Sequence, residues 1–124
     1  MTENGHTQPP FDRDLLFANF HGIEDMIPEI IECFLLAIPK LTLALESAVK
    51  SKNFEAIQIS AHTMKGAVSN FYAEPSKKLA LQLEKIGREK VIADADELFR
   101  LLCLELTKLT KALRDIAHDG ALYE

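Results

Sequence analysis

A chain of 124 residues fits one domain, and its 48% hydrophobic content is ample for a single core, since a domain of this size buries roughly two-thirds of its unfolded surface. The net charge of −5 and the lack of any basic cluster along the sequence argue against nucleic acid as a partner. No apolar run is long enough to span a membrane and the amino terminus has no signal-peptide pattern, so the cytoplasm is the expected compartment.

Residues 1–10 are polar, contain Gly5, Pro9 and Pro10, and show no periodicity, which predicts a disordered lead. A short helix is expected over Asp12–Phe20, with Asp12 as its cap and Leu15, Leu16 and Phe20 as its apolar side, until His21-Gly22 breaks it. The next helix, Glu24–Lys50, aligns Ile27, Ile30, Ile31, Phe34, Ile38, Leu41, Leu45 and Val49. Pro28 suits its first turn, while Pro39 is expected to kink it or leave a local break, the span still reading as one bent helix. Leu36 and Leu43 fall on the opposite side, where cover by the first helix or a wide core stripe is a simpler explanation than an interface. Cys33 and Cys103 lack C-x2-C partners and are expected to be buried free thiols.

Asn53 can cap a third helix over Phe54–Tyr72, and a fourth begins after Glu74-Pro75, with Leu79, Leu83 and Ile86 at helical spacing and Gly87 as its stop. The last, Asp94–Ala117, carries Leu98, Leu101, Leu102, Leu109, Leu113 and Ile116 inward. Its acidic residues Asp94, Asp96 and Glu97 come early and Lys108, Lys111 and Arg114 late, as the helix dipole prefers. No strand pattern competes, so the periodicity predicts an all-α bundle with a short tail over 119–124.

The third helix holds the most informative residues. Phe54, Ile57, Ala61, Met64, Val68 and Phe71 make its apolar stripe, leaving Glu55, Gln58, His62, Lys65, Gly66 and Ser69 on the polar side, so His62 is expected to face solvent. A histidine on a polar helix face is by default an ordinary solvated residue. Here Lys65 stands at i+3, close enough to neutralise an anion held on the ring. Gly66 stands at i+4, and a glycine inside a helix costs about 1 kcal/mol relative to alanine. Clearance for another protein's surface would explain it. A nucleophilic nitrogen, a nearby cation and room for a donor together suit a histidine that carries phosphate. Other chemistry finds little support. His6, His21 and His118 make no metal-ligand spacing with His62, and no glycine-rich phosphate loop occurs. Ser60, Thr63 and Ser69 lie near His62, but no carboxylate at a fixed spacing orients the imidazole as a hydrolase requires.

Ala61-His62-Thr63-Met64-Lys65-Gly66-Ala67 resembles the A-H-T-L-K-G-S/A signature of histidine-containing phosphotransfer (HPt) domains, and Leu79, Leu83, Glu84, Gly87 and Arg88 resemble the L-x3-LE-x2-GR pattern that follows it. The likeness extends in helix layout from Phe11 to His118. Two departures stand out: Tyr72-Ala73 follows Asn70-Phe71 where many members have a glycine followed by an alanine, and the acidic residue often found after the G-R pair is not at its usual place, since Glu89-Lys90 stands there. The resemblance implies an antiparallel four-helix bundle over residues 11–118 with the short first helix packed across one end. It also implies a stoichiometric phosphocarrier, not an enzyme: a receiver domain's phosphoaspartate donates to His62, and the phosphohistidine passes the group to another receiver aspartate. Lys65 would then stabilise the phosphoryl group and Gly66 give clearance. Gln58 and Ser69 would bond phosphate oxygens or the partner, and Ile59 would offer an apolar docking contact. Implied partners are receiver domains and a hybrid sensor kinase meeting a monomer, with magnesium on the receiver and no cofactor on this chain. The alternative is a helical adaptor that docks receivers or other helices without carrying phosphate, while a small-molecule enzyme would need a concave pocket that the sequence does not indicate.

Overall fold

Helix starts follow the capping residues. In the computed structural model, which describes residues 8–119, Asp12 caps α1 (Arg13–Asn19), its carboxylate accepting from the Leu15 amide at 3.0 Å. A 3-10 turn over Glu24–Met26, not an α-helix, leads into α2 (Ile27–Lys50), with Pro28 in the first turn where a missing amide costs nothing. Asn53 caps α3 (Phe54–Ser69) by accepting from the Ala56 amide at 3.0 Å. Then come α4 (Glu74–Glu89) and α5 (Ala95–Asp119). Among the described residues there is no strand, and no helix is long and apolar enough to cross a membrane. Of the segments expected to be disordered lead and tail, residues 1–7 and 120–124 lie outside the described residues.

The apolar stripes meet in one core. Leu16, Ile27, Ile31, Leu45, Ile57, Met64, Leu83, Leu102, Leu109 and Leu113 are fully buried, and the rings of Phe34 and Phe71 tilt together with centroids 4.6 Å apart. α2 packs on α3 and α5, and α4 packs on the same two helices. Each fully buried Leu or Ile contributes roughly 1.5–3 kcal/mol relative to exposure, so these side chains outweigh any helix cap.

α2 runs through Pro39 as one helix, the reading expected for that span, because the proline lies on the exposed side, where water can take up the carbonyl released from the ladder. Other local expectations are corrected. Leu36 and Leu43 are not covered: they are 69% and 64% exposed. Cys33 is an exposed free thiol and Cys103 a half-buried one.

α4 begins at Glu74, two residues ahead of the expected start, since Pro75 fits its first turn. Gly87 does not stop it. A Cβ there would sit 2.5 Å from the Gln58 backbone nitrogen and 2.7 Å from the Phe54 carbonyl, so the glycine is what lets α4 approach α3. The helix ends at Lys90, which takes the left-handed cap conformation at φ 60°. Where many resembling chains have glycine, Tyr72 adopts φ 55°, and its carbonyl accepts from the Asp12 amide at 2.9 Å, tying the start of α1 to the α3–α4 turn.

Candidate phosphoacceptor histidine

The close approach of α3 and α4 places a carboxylate under the exposed histidine. Glu84 lies on the inward side of α4 beside Ala80, Leu83 and Gly87, and its side chain is only 10% exposed. One of its oxygens, Oε2, is 2.9 Å from His62 Nδ1, and Oε1 accepts from Lys65 Nζ at 2.7 Å. The Lys65 hydrogen bond is the main cause that holds the Glu84 carboxyl below its ordinary range; burial works against it and the His62 contact adds to it. An ionised carboxylate only accepts, so Nδ1 carries the proton and donates to it. In the neutral ring this leaves the lone pair on Nε2. The imidazole is 67% exposed, so the polar-face position expected for His62 holds.

The other expected residues divide by surroundings. A Cβ on Gly66 would meet nothing within 4 Å, so no internal contact requires glycine there. Ile59, one turn before His62, is 60% exposed and free to touch a partner. Lys65 is 25% exposed and engaged with Glu84, where a cation free for an incoming anion was expected. Ser69 donates to the Lys65 carbonyl at 2.6 Å within its own helix, and Gln58 is half-buried with its backbone under Gly87. A groove lined by Phe20, Cys33, Ala37, Ala67 and Asn70 runs between α2 and α3, but His62 is not part of it.

Sequence reasoning missed Glu84 as a site residue. It looked for an orienting carboxylate at fixed spacing, whereas Glu84 is 22 residues away and reaches the ring across a helix contact. The signal that could have found it is a lone acid on the inward stripe of α4, because a buried carboxylate requires partners.

No curated protein matches the chain in sequence. A family model described as the Hpt domain matches residues 29–118, a span that includes His62, Lys65, Gly66 and Glu84. The fold is similar to that of histidine-containing phosphotransfer protein B (HptB) from Pseudomonas aeruginosa PAO1, with a TM-score of 0.85 and 21% identity over 91% of this chain and 98% of that one. The chain therefore belongs to the Hpt domain family, phosphocarriers that serve as intermediates of phosphorelay signalling and interact with receiver domains.

Proposed function

We propose that His62 Nε2 is the atom that carries the phosphoryl group. The observation behind this reading is the Glu84 carboxylate on Nδ1, which fixes the proton on the inner nitrogen of an otherwise exposed ring. In the forward step the Nε2 lone pair attacks the phosphorus of a receiver's phosphoaspartate. A P–N bond forms, the P–O bond to the aspartate breaks, and its electrons leave on the carboxylate. The ring gains positive charge as this happens, and the Glu84 carboxylate stabilises that charge through Nδ1–H. Transfer to a second receiver reverses the same bonds, so the histidine returns unchanged only after another protein has reacted.

Lys65 is one turn from His62 and can swing its ammonium from Glu84 toward the phosphoryl oxygens. Gly66 leaves room for the donor, Ile59 supplies an apolar contact, and Gln58 and Ser69 border the same face. Magnesium belongs to the receiver's acidic pocket in this scheme, and the chain needs no cofactor. We further read the four long helices as an antiparallel bundle over residues 11–118 with α1 across one end, supported by the short connections between helices and by the Asp12–Tyr72 hydrogen bond. A hybrid sensor kinase supplies the first receiver, and the carrier works as a cytoplasmic monomer. The test is incubation with a phosphorylated receiver: acid-labile, alkali-stable label is expected on the wild type and none on His62→Gln. Tight receiver binding without label would instead favour an adaptor.

A further inference from the structure

One side of α4 concentrates cations that the chain's net charge of −5 does not reveal. Ala80, Leu83, Glu84 and Gly87 turn α4 inward, and at about 100° per residue Lys78, Leu81, Gln82, Lys85, Arg88 and the single acid Glu89 share its outward side, all exposed. Leu81 sits among the cations and is 46% exposed. Five of the chain's 14 lysines and arginines lie between Lys77 and Lys90, although the chain as a whole is at −5. Of the acids in that stretch, Glu84 is engaged with Lys65 and His62, which leaves Glu89. Lys78, Lys85 and Arg88 form no ion pair with any described residue. Six acidic residues, Asp12, Asp14, Glu24, Asp25, Glu29 and Glu32, open the domain away from this helix, while Glu89 and Asp94 border Lys85 at its carboxyl end. The basic face is continuous with the site: Lys85 follows Glu84 directly, and Arg88 stands one turn beyond it.

We propose that this outward face of α4 selects the receiver: it docks an acidic receiver surface whose centre presents an apolar side chain to Leu81. The inference rests on the phosphocarrier reading and names the partner chemistry that reading leaves open. Unpaired surface cations act mainly on encounter, where charge complementarity raises association rates by about 10- to 1,000-fold and salt removes the gain. Leu81 adds short-range contact once the surfaces meet. A receiver with a basic or neutral surface at this position is therefore a poor donor.

The test compares the wild type with Lys78→Glu/Lys85→Glu/Arg88→Glu, with Leu81→Ser, and with the charge-keeping Lys78→Arg/Lys85→Arg. Phosphoramidate, a small donor that needs no docking surface, reports on His62 itself and should label all four equally. With an acidic-faced receiver at low salt, the charge-reversed protein should show a second-order transfer rate constant at least tenfold lower and an unchanged rate at saturating receiver. Leu81→Ser should be slowed to a lesser degree, the arginine variant should match the wild type, and about 0.5 M salt should close the gap. Equal rate constants at low salt would overturn the proposal. So would self-association of the wild type that the charge-reversed variant abolishes without slowing transfer, which would assign the face to a second copy. Absence of label on the wild type from both donors would overturn the phosphocarrier reading, whereas a labelled wild type beside an indifferent variant overturns the docking face alone.

Discussion

Glu84 is where stability and chemistry meet at the scale of single residues. Its carboxyl is held below the ordinary glutamate value of 4.5, so it contributes stability that is fully present above that value and lost as pH falls through the lower folded-state value. Glu84→Gln removes the ionised group. Its denaturant midpoint should therefore fall below that of the wild type at pH 7, and the difference should shrink as both are measured below pH 4.5. Lys65→Ala takes away the principal partner of a carboxylate only 10% exposed, and a cost of roughly 1–2 kcal/mol is expected in urea unfolding. Transfer from a receiver should also slow several-fold to tenfold, since about 1 kcal/mol of stabilisation is lost from the reacting group. An unchanged transfer rate with lowered stability would confine Lys65 to holding Glu84. His62→Gln should keep the helical circular dichroism and lose no more than about 1 kcal/mol, the worth of one hydrogen bond at an exposed ring, while label acceptance disappears.

Two glycines make opposite predictions at the scale of the helices. Gly66→Ala adds a methyl group into open space on α3 and should raise stability by up to about 1 kcal/mol. Gly87→Ala drives a methyl group into the Gln58 backbone, where no side chain can yield, so α3 and α4 must separate at a cost of about 1–3 kcal/mol or more. Because Glu84 is one turn away on the same helix, receiver transfer should slow as well in Gly87→Ala; thermal melts beside transfer assays check both. Lys90→Gly should stabilise by about 1 kcal/mol, since the left-handed cap at φ 60° strains any residue with a Cβ. Helix identity was legible in the sequence because periodicity and caps are local: Asp12 and Asn53 cap where their side chains predict, and the α3 stripe is buried from Ile57 to Phe71, with Phe54 at its start only half-buried. The two functions of glycine were not. Gly66 and Gly87 both interrupt helical patterns, and only the distance to a second helix tells a position in open space from a packing position.

The whole molecule explains which parts of the site could be read in advance. His62, Lys65 and Gly66 share one helix, so their mutual placement follows from rotation per residue. Glu84 joins them only after α4 has packed on α3, and the basic outward face appears only once α4 has turned its other side inward. The fold thus supplies the orientation of the ring, and the sequence motif supplies its neighbours. The most direct test of the central claim is the phosphohistidine isomer, read by proton–nitrogen correlation NMR on uniformly nitrogen-15-labelled protein after transfer from a phosphorylated receiver. Phosphate on Nε2 of His62, with the Nδ1 proton retained toward Glu84, is the predicted result. Phosphate on Nδ1, or on any other residue, would contradict it.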